Sequence, residues 1–461
     1  MTSTQAAADG ATPHTVFTKA DIRPFTAEPV SKPYRIYAAW LLLGLYTLNF
    51  LDRQVVNILA EPIKRDLGLA DWQLGMLTGL SFALFYSVLG IPIARLAERK
   101  NRVRIISVSV AVWSLFTVAC GYAASFAQLL AARIGVGVGE AGLTPPAHSL
   151  ITDYTPKEKR ASALAFYSLG IPLGTLAGMA LGGLIADEFG WRTAFLVAGL
   201  PGLLLAIIAW ATLREPRTQA RASAPVETPD LRDAFTELRG KKAFWRIAIG
   251  ASLVSFVAYG HVAFLGSFYF RNHGQGLTEL AAMVDAATGL SMGAAGFLGT
   301  ALGLMIGIFG AAGTYLGGHL ADRAARTDVA GYLSIPAYGA FIGVPFFLKA
   351  MLVDSTLLSI LVLGIPVMMN SLWYGPIYAA VQGLVRPRSR ATAVAVLLFL
   401  VNMIGLGLGP LSVGLVSDAF AGSMGAADGL RWALIVTGGV AVLSAALFFS
   451  ARPHLRAEMT S

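Results

Sequence analysis

Four ionisable side chains stand where the surrounding sequence is otherwise fit for hydrocarbon. Asp52 and Arg53 are adjacent in LYTLNFLDRQVVNILA (45–60), and Arg133 and Glu140 lie in ARIGVGVGEAGLTPPAHSL (132–150). A charge at the middle of a bilayer costs on the order of 3 kcal/mol even on lenient insertion scales, so such residues face partners or a water-filled space. Adjacent helical residues point about 100° apart. Asp52 and Arg53 are therefore expected to meet separate partners. Arg133 and Glu140 are seven residues apart, two helical turns, and share one face. This permits a carboxylate–guanidinium network between two helices, in which Asp52 and Glu140 take up and release protons as solvent access changes. The same residues would equally serve a purely structural ion-pair network, and Arg133 could anchor nearer the outer leaflet.

The elements that must position these groups follow from composition. The chain of 461 residues is 56% hydrophobic and only 13% charged, against about 25% charged for a soluble domain. Its mean hydropathy is +0.65. Apolar runs of about 20 residues, each enough to cross roughly 30 Å of hydrocarbon as a helix, recur along the chain. Porin-like alternation is absent. The runs place spans at 36–60, 72–94, 103–124, 127–151, 160–186, 193–213, 244–270, 286–319, 331–350, 356–383, 391–417 and 430–450. The expected fold is an all-α polytopic membrane protein with twelve transmembrane helices. The domains are a tail (1–35), a six-helix bundle (36–213), a central loop (214–243), a second six-helix bundle (244–450) and a tail (451–461).

Loop charge orients the spans. Of the 35 Lys and Arg residues, 27 fall in the tails and in the loops on the tail side, six in the opposite loops, and two, Arg53 and Arg133, within spans. By the positive-inside rule both termini face the cytoplasm. The first 33 residues read as a polar tail without a signal peptide, so the first span is expected to serve as its own targeting signal. The central loop is expected to hold a short interfacial helix around 229–240. A repeat crosses it, with ARLAERKNR (94–102) after the second span and GHLADRAAR (318–326) after the eighth. Duplicated six-helix units suit alternating access about a central site. In these loops Glu98, Arg99, Arg102, Asp322 and Arg323 are read as gating residues that bridge helix ends and release as the halves tilt.

Phe82, Phe85, Tyr86, Phe166, Tyr259, His261, Asn370, Tyr374, Tyr378 and Asn402 are candidates to line an amphipathic cavity, polar in the N-half and aromatic elsewhere. Gly170, Gly174, Gly178 and Gly182 recur once per turn and read as a close-packing stripe. GVGVGE lies in a membrane run after no strand, and no Walker A sequence occurs, so neither nucleotide binding nor ATP-driven transport is indicated. The single Cys120 excludes a multi-cysteine metal cluster, and the six histidines lack metal-ligand spacing. No cofactor, metal, enzymatic activity or nucleic-acid partner is expected.

The loop after the eighth span, Gly318 to Arg323, resembles the signature of the major facilitator superfamily, close to Gly-x-Leu-Ala-Asp-Arg-x-x-Arg. The loop after the second span departs from it at Ala94 and Glu98, and the fourth-span pattern Arg-x-x-x-Gly is met at Arg133 and Gly137. The long motifs LNFLDRQVVNILAEPIKRDLGLADWQLGMLTGLSFALFYSVLGIP and RIGVGVGEAGLTPPAHSLITDYTPKEKRASA are similar to the spinster-like branch. The resemblance covers essentially the whole chain. It implies a monomeric secondary transporter of a bacterial inner membrane, in contact with membrane lipids and coupled to protons. Implied cargoes are single-tailed lipids such as lysophospholipids or sphingosine-phosphate-like molecules. Asp52, Arg53, Arg133 and Glu140 would form the proton-linked and head-group-binding set. Two other readings stay open: a carrier of amphipathic drugs or small organic anions, and an uncoupled lipid scramblase or receptor.

Overall fold

The protein is described here by a computed structural model covering residues 30–216 and 231–459. Most of the N-terminal tail, the middle of the central loop and the last two residues lie outside it. The first span is Lys32–Leu67, the second Asp71–Arg99, the third Arg102–Gly121, and the fourth joins Phe126–Glu140 to Thr144–Tyr154. Lys157–Thr212 holds the fifth and sixth, Lys242–Asn272 is the seventh, Ala294–Ala325 the eighth, Gly331–Leu352 the ninth and Thr356–Gly383 the tenth. Pro387–Glu458 holds the eleventh and twelfth. That is the expected twelve.

The two long segments reverse on glycine. Gly190 (φ 79°, ψ 165°) turns the fifth span into the sixth, and Gly425 (φ 81°, ψ 164°) turns the eleventh into the twelfth. A Cβ disfavours this backbone, so glycine is the residue that makes the turn possible. The same angles at equivalent places are one mark of duplication. Another is the break in the fourth and tenth spans, at 141–143 and 371–373, each followed by a helix whose first turns carry proline: Pro145 and Pro146, then Pro376. Proline lacks the N–H that a continuing helix would donate. Each half then makes a 3₁₀ turn, Lys157–Lys159 and Pro387–Ser389.

One boundary is corrected. The eighth span begins at Ala294 rather than 286, because Gly274–Thr288 forms a separate helix closed by left-handed Gly289. Its alanines are apolar enough to read as a continuation of the span. The amphipathic helix expected in the central loop is present as Leu231–Arg239, with Leu238 buried against the C-half.

Three apolar cores show how the halves meet. One lies within the C-half, and a second lies in the N-half and reaches across to Leu406, with Tyr259 and Met403 packed against it. Both occupy the end of the molecule that carries the described chain termini, called here the terminal side. The third, at the far side, joins residues such as Val55, Leu74 and Met179 to Phe264, Leu298 and Val413. The bundles are thus fused at the far side and separate at the terminal side. Hydrophobicity contributes little to helix association in lipid, so small residues and polar contacts carry the fusion. A Cβ added to Gly75 would come 2.3 Å from the Pro410 carbonyl oxygen, and one added to Gly183 2.1 Å from that of Ala295. The Gly170–Gly182 stripe instead packs on the first span, where a Cβ on Gly174 would meet the Thr47 carbonyl at 2.4 Å.

Candidate functional site

Asp52 and Arg53 turn to different neighbours. Arg53 Nε donates to Glu140 Oε2 at 2.6 Å, tying the first span to the fourth. Asp52 Oδ2 accepts from Thr117 Oγ1 on the third span at 3.0 Å. Arg133 donates to backbone carbonyls, to Leu77 at 3.4 Å and Asp52 at 3.5 Å. Leu77 lies in a π-helical turn, Met76–Leu80, where the regular ladder is interrupted. Arg133 is therefore a core residue of the N-half and not an outer-leaflet anchor; it is 1% exposed. The charge network between first and fourth spans is present, and Thr117 and the Leu77 carbonyl extend it. No donor among the described residues reaches Asp52 Oδ1 or Glu140 Oε1.

Aromatic rings hold the Arg53 charge from three directions. Phe82 and Tyr86 each lie 4.6 Å from the guanidinium carbon and Phe50 lies 5.1 Å away. A desolvated cation–π contact is worth up to about 2 kcal/mol, so the rings offset part of the cost of burying this cation. Its side chain keeps 17% exposure while that of Glu140 has none. Tyr86 packs on the same apolar core as Tyr259 of the C-half. Arg53 is thus where the charged wall meets the opposite bundle.

The opposite wall holds a cavity of about 290 Å³ that runs among the seventh, ninth, tenth and twelfth spans. Tyr259, His261, Asn370 and Tyr374 line it, with Phe50 and Gln54 on its N-half side. His261 stacks on Phe347 with ring centroids 4.1 Å apart. The remaining cavity candidates lie elsewhere. Phe82 and Tyr86 clamp Arg53, and Tyr378 packs beside Trp373. Phe85 is half-buried on the second span and does not line this cavity, and Asn402 lies in the π-helical segment Val401–Leu408 of the eleventh. Phe166 belongs to a separate groove against Trp40, because the fifth span starts outside the central space and breaks at Leu169.

At the far side a second ionic cluster joins the halves. Arg271 of the seventh span donates to both Asp71 oxygens, at 2.7 and 2.8 Å, and to Glu61 at 2.9 Å. Lys64 and Ser417 complete the shell of Asp71 at 2.5 and 2.6 Å. Asp418 accepts from the free amides of Asp71 and Trp72 at the start of the second span. Asp187 does the same for Ala295 and Gly296 at the start of the eighth. These residues were missed from sequence. The charged EPIKRD at the end of the first span and the lone Arg271 were the available signal.

The loop motifs stay within their own halves. Arg102 is fully buried and paired to Asp153 at 2.6 Å and Glu215 at 2.5 Å, with Ser149 at 2.8 Å. It bridges helix ends within the N-half, fastening the second-to-third loop to the fourth span and to the start of the central loop. Asp322 accepts weakly from Tyr332 at 3.4 Å, while Arg323 is exposed, as are Glu98 and Arg99.

Residues 42–410 match the family described as Major Facilitator Superfamily. An MFS-type efflux pump of Mycolicibacterium smegmatis is 32% identical over 428 residues, spanning 93% of this chain and 95% of that protein. Two solved structures of a bacterial homolog to the human lysosomal transporter spinster are similar. The inward-facing, unoccupied form is 34% identical with a TM-score of 0.82, and the inward-facing, occupied form 35% identical with 0.80. Each alignment covers 94% of this chain and 100% of the other.

Proposed function

The chain belongs to the major facilitator superfamily of membrane transporters, and on that premise we propose that it carries a single-tailed amphipathic anion, of the lysophospholipid or sphingosine-phosphate kind, by alternating access coupled to a proton gradient. The observation that supports this most is Arg53. It pairs with a buried carboxyl and is ringed by aromatics, one of which, Phe50, also lines the apolar cavity. An anionic head could take the place of Glu140 beside Arg53 while an alkyl tail fills the cavity of the C-half. Glu140, released from its partner in that site, would gain a proton, and Asp52 would relay it. Head binding at Arg53 and protonation of Glu140 would then occur together, the minimum device for coupling.

Charge asymmetry supports placing the terminal side in the cytoplasm of a bacterial inner membrane. The separated end of the bundles would then face inward, and the cargo would enter or leave from that side.

The test is reconstitution in liposomes with labelled lysophospholipid and a controlled pH gradient. Asp52→Asn or Glu140→Gln is expected to reduce gradient-driven uptake by about tenfold or more, as loss of a proton-transfer group does, while exchange partly survives. Unchanged pH dependence in both variants would remove them as coupling acids. Arg53→Gln is expected to weaken an anionic lysolipid more than a neutral analogue; equal loss would make Arg53 structural. The 32% identity to an efflux pump favours one second reading, export of amphipathic drugs. Competition by such drugs without lysolipid transport would decide for it. Flux indifferent to the proton gradient would mark an uncoupled scramblase.

A further inference from the structure

A groove at the terminal-side end of the N-half has a chemistry of its own. We propose that it holds a resident anionic phospholipid of the bilayer, with the phosphate between Arg35 and Lys159 and an acyl chain along Trp40 and Phe166. This molecule is distinct from the cargo, since the groove shares no lining residue with the cavity of the C-half.

The groove encloses about 340 Å³ among the start of the first span, the end of the fourth and the start of the fifth. Its only charged lining residues are Arg35 and Lys159. Among the described residues neither side chain meets a carboxylate. The neighbouring Asp153 is taken up by Arg102 at 2.6 Å, and Glu158 sits exposed among Lys157, Lys159 and Arg160. Among the described residues the local charge is therefore positive and uncompensated, complementary to a phosphodiester.

The rest of the lining selects a lipid over a free anion. Beyond the hydroxyls of Tyr154, Thr155 and Ser162, which suit a phosphate of either source, Ile36, Leu42, Ile151 and Ala163 offer nothing to a soluble anion. Trp40 is 61% exposed and Ile36 50%, large apolar surfaces whose natural solvent is acyl chain. Trp40 meets Phe166 edge to face with centroids 4.9 Å apart, which fixes the indole at the groove wall. Arg35 and Trp40 are separated by about 7.5 Å along the helix, the step from head group to upper acyl chain. Tryptophan and basic residues at this depth are the usual interfacial pair.

The experiment follows quenching of Trp40 in the detergent-purified full chain by brominated-acyl phosphatidylglycerol and phosphatidylcholine, taking the Trp40 signal as wild type minus Trp40→Phe. Phosphatidylglycerol is expected to quench at a concentration lower by about fivefold per basic residue. Arg35→Gln with Lys159→Gln is expected to abolish that preference, and Arg35→Lys with Lys159→Arg to keep it. Lys159→Gln alone, at an exposed side chain, is expected to reduce it partly and serves if the double variant does not fold. Equal quenching by the two lipids, or a preference that survives loss of both charges, overturns the proposal. Protection by glycerol 3-phosphate or inorganic phosphate as complete as by excess phosphatidylglycerol would assign the groove to a soluble anion and overturn it as well. Loss of proton-coupled transport in Asp52→Asn leaves these readings untouched, so the site stands or falls apart from the cargo assignment.

Discussion

The two ends of the cleft use the same residue types in opposite ways. At the far side a set of ionic contacts runs between the halves, Arg271 to Asp71 and Glu61, Asp418 to the second span and Asp187 to the eighth, beside pairs within one half such as Arg192–Asp66 and Arg431–Asp428. At the terminal side, among the described residues, the ion pairs run within a half: Arg102 to Asp153 and Glu215, and Asp328 to Arg456. The first kind must break for the far side to open. The second kind can survive a rocking motion intact, because each bundle carries its own pairs as a rigid unit. Charged residues at a membrane surface thus say little about gating until it is known which half holds each partner.

The largest expected change to this contrast comes from Arg271→Gln. It leaves Glu61 with only the exposed Arg65 as partner and removes part of the Asp71 shell, and breaking such a buried pair costs about 3–5 kcal/mol. Spin labels at Glu188→Cys and Met283→Cys, both exposed at the far side, in a Cys120→Ala background should report a longer distance population. An unchanged distribution would mean that apolar packing alone keeps this end shut. Next comes Gly183→Val, whose side chain would collide with the Ala295 backbone. Overpacking of this sort costs about 1–3 kcal/mol, and the same labels should move in the same direction by a smaller amount.

Arg102→Gln sharpens the comparison from the other end. It should lower the melting temperature of the protein while leaving the far-side distances as they are. A shift in those distances would make Arg102 part of the gate after all. The smallest effect is expected from acid. The Arg456 guanidinium hydrogen-bonded to Asp328 holds its carboxyl below the usual carboxylate range. A lowered acid contributes stability above its unfolded value, near 3.9, and loses it as pH falls through the folded one. The pair is largely exposed, so Asp328→Asn should leave the melting temperature at pH 7 almost unchanged and flatten its fall below about pH 4.

Much of the fold was legible in the sequence. Hydrocarbon demands about 20 apolar residues per crossing, so the spans announced themselves, and Asp52, Arg53, Arg133 and Glu140 stood out because charge is costly there. The misreadings have common causes. The alanine-rich helix Gly274–Thr288 passed for part of a span because hydropathy does not register a left-handed glycine. Phe166 passed for a cavity residue because a single helix carries no information about which neighbour its stripe faces.

The residues alone thus determined a helical membrane chain of duplicated halves with buried ionisable groups, since each property follows from local composition and spacing. Tertiary structure decided the pairings: Arg53 with Glu140, Asp52 with Thr117, Arg133 with the backbone carbonyls of Leu77 and Asp52, and Arg271 across the halves. The physical reason is range. Insertion into lipid is a cost assessed one segment at a time, whereas a hydrogen bond depends on the angle and depth at which two distant segments are packed together.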